Sequence, residues 1–491
     1  MTGYSIIRRI CILKLQLLAG FLSVLTAATG QPLMLGNNRE LFVDQYLIDS
    51  LHQLTQQLQH PHNEGVVLTF DHPWEGNFCG YGTIIKDAHT FRMYYRGVRQ
   101  AIKDGGDNEV TCYAESTDGI HWVKPSLGIY TINGTAANNV ILAHAAPATH
   151  NFTPFLDTNP HVKKSERYKA VGGIDKSGLL AFVSADGIHW KKLRDTAVFR
   201  TGVFDSQNVV FWSESEQQYV CYFRTWSDGG FTRYKGFRSV SRTTSSDFIH
   251  WTAPVKMSFG ATLPEHLYTQ QTSPYFRAPQ LYLAIGARFM AGRQVLSGAA
   301  AKALQVDPKY FGDCSDAVLM STRGGNTYDR TFMESFIRPG IGLENWVSRT
   351  NYPVLNVVQT GPAELSVYVN ESYAQPAAHI KRYSLRLDGF ASLHGDAGGG
   401  YMLTRPFIFK GKELEINYAT SAAGFVKIEI LNAKGDPLPG YTVKEAKEII
   451  GNEIRRVVSW NGNSDLTALA GHPVRLRIHL KDADLYSLKF N

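Results

Sequence analysis

The chain has 491 residues, of which 44% are hydrophobic and 19% charged, a balance that supports a buried core and excludes an intrinsically disordered protein. Its length exceeds one compact core and points to two domains, or to one repeat assembly with an attachment. The formal charge of +7 is spread along the chain without a Lys/Arg block, which gives nucleic-acid binding little support.

At the N-terminus, Arg8, Arg9 and Lys14 precede the apolar run LQLLAGFLSVLTA, and the small residues of AATG offer a cleavage site before Gln31. This is the pattern of a secretory signal peptide over residues 1–30. The apolar run is too short for a membrane span, no comparable run follows, and no Cys stands after the small residues to accept a lipid. Cleavage near Gly30 predicts an exported chain, periplasmic or extracellular, with a net charge of +4 and no integral membrane segment. That mild excess is compatible with an anionic glycan as partner. Cys79, Cys112, Cys221 and Cys314 then remain without metal-type spacing. Cys112 and Cys221 lie in apolar strand-like runs, which suits buried thiols at least as well as one or two disulfides.

Further along, the phrase STDGIHW (Ser116 to Trp122) returns as SADGIHW from Ser184 and SSDFIHW from Ser245, at spacings of 68 and 61 residues. A worn fourth copy, STRGGNTY, starts at Ser321, and Asp388-Gly389-Phe390 stands near the fifth place. Repetition at such a spacing is the signature of stacked supersecondary units. Between the copies lie short runs such as TFRMYYRG, NEVTCYAES, QYVCYFR and FRSVSRTTS, rich in Tyr, Phe and Val and bounded by Gly, Asp, Asn or Pro, and these read as strands. The Asp-Gly pair then serves a tight turn, Ser and Asp bond turn amides, and Trp packs between neighbouring sheets. The phrase is structural, and His121, His189 and His250 within it are read the same way.

Five such units predict an all-β chain built on a five-bladed β-propeller over residues 31–393. The stretch RELFVDQYLID, which contains Asp44, is expected to supply the strand that completes the last blade. From His394 the repeat gives way to alternating strands with Gly, Asp and Pro turns, predicting a β-sandwich over residues 394–491.

A secreted chain with five blades, S-x-D-G-I-H-W turns and a C-terminal sandwich resembles the five-bladed propeller glycoside hydrolases, the superfamily of β-fructosidases and arabinan-degrading enzymes. The β-fructosidase signatures W-M-N-D-P-N-G, R-D-P and E-C are missing. ELFVDQYLID, RAPQLYLAIGARFM and LRLDGFASLHG are closer to uncharacterised bacterial secreted proteins labelled fructosidase-like. The resemblance implies a glycosidase acting on a plant or algal oligo- or polysaccharide, with no cofactor or metal expected, and the narrow axial cavity that five blades leave, closed at one end, favours exo action on a terminal sugar. The resemblance also implies an acid set on the innermost strands of the first three blades. PWEGNFCGYG, NFTPFLDTNP and FDSQNVVFW each carry one acid there, namely Glu75, Asp157 and Asp205. Glu stands first where the superfamily has Asp.

Asp44 is expected to reach the same funnel from the closing strand. Glu265 with His266, Glu344 and Glu371 lie in loops or strand ends beside aromatics, where a sugar ring can stack. Arg96, Arg224 with Trp226, and Arg277 end apolar strands, placed to clamp a carboxylate or sulfate or to pair with a neighbouring acid. The sequence has no G-x-S-x-G elbow, P-loop, H-E-x-x-H or G-x-G-x-x-G after a strand, and His60 with His62 lacks further metal ligands. Three alternatives remain: a sialidase-like hydrolase, a lyase or dehydratase using His266 beside Tyr268, and a carbohydrate-binding propeller without catalysis.

Overall fold

The structure is a computed structural model that describes residues 31–491; the expected export signal lies outside the described residues. Five antiparallel blades follow one another around an axis, each of four strands except the fourth, whose outer edge is reduced to the isolated bridges Ala317–Ile337 and Ser321–Asp329. Blade one runs Gly80–Asp87, Thr90–Gly97, Val110–Ser116 and Val140–Leu142. Blade two runs Thr153–Leu156, Tyr168–Gly172, Leu180–Ser184 and Lys191–Lys192, and blade three Val209–Ser213, Gln218–Trp226, Arg238–Ser245 and Val255–Lys256. Blades four and five have broken innermost strands, Leu267–Thr269 with Thr272–Tyr275 and Tyr352–Pro353 with Val358–Gln359.

Middle strands such as Gln218–Trp226 are buried along nearly their whole length, because each blade is covered on both faces by its neighbours. That explains why they read as near-continuous apolar runs rather than alternating ones. At the axis the innermost strands leave room for polar side chains. Gln207 donates to the carbonyl of Gly82 at 3.1 Å and to Thr83 Oγ1 at 3.0 Å, while Gln271 donates to Gln207 Oε1 and to the carbonyl of Pro353, both at 2.7 Å. This buried lattice ties four blades together and closes the axial channel.

The repeated phrase is the turn after each blade's third strand. In its first copy Asp118 Oδ1 accepts the amides of Ile120 and His121 at 2.7 and 2.8 Å, Asp118 Oδ2 meets His121 Nδ1 at 2.7 Å, and Ser116 Oγ accepts the Gly119 amide at 2.9 Å. The tryptophans wedge between blades: Trp122 packs on Tyr368 of blade five at 5.9 Å, and Trp190 on Tyr94 of blade one at 6.5 Å. In the worn fourth copy Tyr328 takes this place against Tyr222 of blade three. Arg323, in the Asp position, instead reaches Glu40 and Asp44 outside the propeller, each at 2.7 Å. Asp388 of the fifth copy is likewise turned outward, to Arg277 at 3.0 Å, Arg39 at 3.5 Å and Ser487 at 2.8 Å.

Two expectations are corrected by the strand pairing. The ring is closed by His62–Thr69, which pairs antiparallel with His379–Arg386 as the outer strand of blade five; RELFVDQYLID does not do so. The residues of that stretch join the C-terminal sheet instead, where Arg39–Leu41 pairs with 487–489 and Ile48–His52 with 401–404. The boundary therefore does not fall cleanly at residue 393, because strands between Leu33 and Leu58 belong with the C-terminal unit. The edges of Ala391–Gly395 and Gly400–Thr404 need antiparallel partners, and the N-terminal strands supply them. The C-terminal unit is organised by two long strands, Leu414–Asn432 and Val474–Phe490, paired along their length around a core that includes Phe407, Ile428, Trp460 and Phe490. A second apolar cluster, with Leu41, Val43, Leu58, Tyr275, Phe336 and Phe390, seals this unit to blades four and five. All four cysteines past residue 30 are buried free thiols.

Candidate active site

On the side of the ring from which the innermost strands are entered, side chains from all five blades meet at the axis. Tyr81, Arg96 and Glu109 come from blade one, His150 from the lead into blade two, and Asp205 from the lead into blade three. Blade four gives Tyr268 and Tyr310, and blade five gives Arg349, Tyr352, Asn370 and Tyr373. Tyr81 holds its place through a bulged backbone at φ 50°, a conformation that costs energy for a non-glycine residue. Its ring carries the Arg96 guanidinium at 4.8 Å, and its hydroxyl donates to the carbonyl of Asp205 at 3.2 Å. Burial pushes the Tyr81 phenol well above its ordinary range, so it stays a neutral hydrogen-bond donor.

Arg96 also donates to the carbonyl of Phe78 at 2.8 Å and to Tyr373 Oη at 3.3 Å. Asp205 is ion-paired with the buried Arg224, and its own side chain keeps 24% of its exposure. Glu109 and His150 are both buried; Glu109 Oε1 lies 2.9 Å from His150 Nδ1, and the Gly105 amide donates to Glu109 Oε2 at 3.1 Å. His150 Nε2 is buried without a protein partner. Asp104, exposed on the rim, brings a third donor atom within 4.8 Å of those of Glu109 and His150. These three could face one ion, yet Arg96 Nη1 stands 3.2 Å from His150 Nδ1 and 4.0 Å from Glu109 Oε1. That fixed guanidinium opposes a cation at this position.

The pocket is nearly filled by its own side chains, with about 40 Å³ free, room for water and not for a sugar ring. A larger cleft of about 960 Å³ opens beside it, between residues 70–78 and 298–311. The cleft lacks the convergence of buried charged groups found at the axis, and the axial pocket is therefore the candidate site.

Of the sequence-predicted acids, only Asp205 lines this pocket. Glu75 is a buried acid on the flank of blade one that lines the larger cleft and not the axial pocket, accepting from Tyr95 Oη at 2.5 Å, Lys124 Nζ at 2.6 Å and the His72 amide at 3.0 Å. Asp157 follows its innermost strand instead of preceding it. Four residues of extended chain, at ~3.3 Å each, carry it to the other rim. There it pairs with Lys169, accepts from Tyr219 Oη at 2.7 Å, and caps its own turn through the Asn159 amide at 2.9 Å. The three acids are thus not brought together.

The remaining candidates divide the same way. Arg96 lines the pocket and Arg224 lies behind Asp205, while Trp226 and His266 flank them, 6.0 Å apart. Burial, and then Arg238, lowers the proton affinity of His266, whose Nδ1 accepts the Arg238 amide at 3.0 Å. Asp44 is held by Arg323 at the seam between propeller and sandwich, because it lies on no closing strand. Arg277 is bound to Asp388 at the same seam. Glu265 is tied to Arg288 and Arg330 at 2.9 and 2.8 Å. Glu344 is a half-buried loop residue outside the pocket lining. Glu371 points away from the axis, toward Lys381, Tyr383 and Asn345; burial would raise its carboxyl, but hydrogen bonds from His379, Lys381 and Tyr383 hold it below its usual range.

No family model matches this chain. No curated protein matches it either. Solved structures with a similar chain path include a glycoside hydrolase at TM-score 0.44 and 10% identity, over 67% of this chain and 92% of that one. A glycoside hydrolase family 43 arabinoxylan arabinofuranohydrolase from Bacillus subtilis, in complex with cellotetraose, gives 0.41 and 10% over 87% and 99%. A fructofuranosidase from Schwanniomyces occidentalis gives 0.38 and 11% over 87% and 97%. The assignment of the fold rests on the blades themselves.

Sequence reasoning missed Tyr81, Glu109, His150, Tyr310, Arg349, Tyr352 and Tyr373, and named Tyr268 only as a neighbour of His266. One signal was available: the residues just before each innermost strand face the axis, a rule that Asp205, His150 and Arg349 obey.

Proposed function

We propose that this protein is a glycoside hydrolase that takes the terminal sugar of an oligo- or polysaccharide into the axial pocket. The observation that carries the reading is a pocket closed below by the Gln207–Gln271 lattice and fed by all five blades, with carboxyl groups on two sides. A closed floor favours the end of a chain over its middle. Asp205, beside Arg224, is the carboxylate that attacks the anomeric carbon or activates water. Glu109 and Asp104 are the candidates to protonate the leaving oxygen as the glycosidic bond breaks. Admission of a sugar requires outward movement of the rim segment that carries Ala101, Lys103 and Asp104. The basic and apolar N-terminal stretch supports export to the periplasm or beyond.

One observation favours a second reading. His150 Nδ1 faces Glu109 Oε1 at 2.9 Å as well as the donors Arg96 Nη1 and Gly105 N–H at 3.2 and 3.3 Å, and its Nε2 is buried without a protein partner. In the tautomer that gives the Nδ1 proton to Glu109, Nε2 is an acceptor suited to abstracting a proton in an elimination. The purified chain, incubated with plant and algal oligosaccharides, separates the readings by product. Hydrolysis gives a saturated reducing sugar, with activity lost in Asp205→Asn. Elimination gives an unsaturated, ultraviolet-absorbing sugar, with activity lost in His150→Gln. Binding without turnover of any glycan would overturn both.

A further inference from the structure

We propose that Arg224, Arg238 and Arg349, gathered around Tyr268, form a receptor for an anionic substituent on the bound sugar, a carboxylate or a sulfate ester. The inference rests on the axial pocket being the sugar site, and names the class of sugar.

The guanidinium carbons of Arg224, Arg238 and Arg349 lie 5.1, 5.1 and 5.4 Å from the centroid of the same Tyr268 ring. Three like charges so close repel one another, and burial together with Arg224 and Arg349 lowers the proton affinity of Arg238. The protein supplies little to offset this. Asp205 answers Arg224, but among the described residues no carboxylate lies within ion-pairing distance of Arg238 or Arg349. Elsewhere the same chain pairs its buried and half-buried arginines readily: Arg39 with Glu415, Arg323 with Glu40 and Asp44, and Arg288 with Asp316.

What holds these groups is aromatic. Arg238 lies over Trp226 and Phe289 at 4.8 Å each, and Arg349 over Tyr310 at 5.0 Å. A guanidinium carried on ring faces keeps its edge N–H groups free, and that edge is the one that matches two oxygens of a carboxylate or sulfate. Accordingly Arg224, only 4% exposed, has Nε and Nη1 buried without a protein partner, and so has Arg238 at Nε. Arg349 lines the axial pocket beside Asp205, so an anion bound here would hang from a sugar already in place for chemistry. Unpaired buried donors are costly, and an anionic ligand relieves them.

The test uses the mature chain and calorimetric titration with D-galacturonate, D-glucuronate and galactose 6-sulfate, alongside neutral galactose and glucose and inorganic sulfate. At least one anionic sugar should bind about tenfold or more tightly than its neutral parent, the scale of one charge-assisted hydrogen bond. Uronates and the sulfated sugar separate the two sources of charge. Arg349→Gln and Arg238→Gln, on half-buried arginines that leave Arg224–Asp205 intact, should abolish the preference at unchanged thermal stability, and Arg349→Lys should restore part of it.

Equal affinity for charged and neutral sugars, no binding of any anionic probe, or a preference that survives both Gln variants would overturn the proposal. Inorganic sulfate binding as tightly as the best sugar would reduce the cluster to a general anion site and overturn it too. An anionic preference without glycan cleavage would sustain it while defeating the hydrolase reading. Cleavage of a neutral glycan with no such preference would do the reverse.

Discussion

Asp157→Asn and Asp205→Asn, two substitutions that look equivalent in the sequence, should both cost stability and differ in activity. At Asp157 the amide keeps the size of the carboxylate but leaves the Lys169 ammonium, 7% exposed, without its counter-charge. It also weakens the acceptor for Tyr219 Oη and the Asn159 amide. Breaking a buried ion pair from one side costs about 3–5 kcal/mol. At a few degrees or less per kcal/mol for a chain of this size, the melting temperature should fall on the order of 5 °C. At Asp205 the carboxylate itself keeps 24% of its exposure, but its partner Arg224, 4% exposed, is stranded in the same way, so stability should also fall, by about 3 kcal/mol or more. Activity is expected to separate the two. Asp205→Asn removes a group from the reacting pocket and should lower kcat by about 10²-fold or more, whereas folded Asp157→Asn should turn over at the parent rate. Calorimetric melting, with kcat measured on the folded fraction, gives both quantities. An Asp157→Asn protein that melts like the parent and is inactive would refute the placement of the site.

Ending the chain at residue 393 removes the strand partners of Arg39–Leu41 and Ile48–His52. The truncated protein should lose solubility or cooperative unfolding, and a soluble fragment with one sharp calorimetric transition would show that the N-terminal strands do not need the C-terminal sheet. Arg323→Ala should destabilise by about 3–5 kcal/mol at neutral pH, since it strands Glu40 and Asp44 in the seam. Burial already raises the Glu40 carboxyl, so part of that loss should return on mild acidification; a denaturant midpoint with no such recovery contradicts the pairing. The repeat carboxylates Asp118, Asp186 and Asp247 are depressed below the ordinary range: burial would raise them, but hydrogen bonds from the following histidines and turn amides prevail. A depressed folded-state pKa contributes stability above the unfolded value near ~3.9 and loses it as the pH falls below that. Replacing all three by Asn should flatten the acid limb of a stability–pH curve, and an unchanged limb places acid sensitivity elsewhere.

The propeller was legible because its repeated phrase is local chemistry. Ser116, Asp118, His121 and Trp122 satisfy one another within seven residues, and that pattern survives in the bare sequence. The two worn copies were legible only as decay. Arg323 and Asp388 leave the turn pattern because they bind segments hundreds of positions away. The site was hardest to read for the same reason. His150 and Arg349 meet Arg96 and Tyr81 only after the blades have closed, and a short strand gives no hint of which end faces the axis. Asp205 and Asp157 differ in just that respect.

The way the ring is fastened bears on how the molecule comes into being. Its clasp, His62–Thr69, waits for His379–Arg386; Leu33–Gly36, Ile48–His52 and Leu54–Leu58 wait for strands between 391 and 409, and Arg39–Leu41 for one that ends at Phe490. The described strands before residue 70 find partners only once residues 379–409 have been made, and Arg39–Leu41 only once 487–489 have, minutes or less at ~5–20 residues per second. These pairings close loops of roughly three hundred residues or more, so the growing polypeptide keeps its N-terminal strand edges open, and exposed to aggregation, for most of its synthesis.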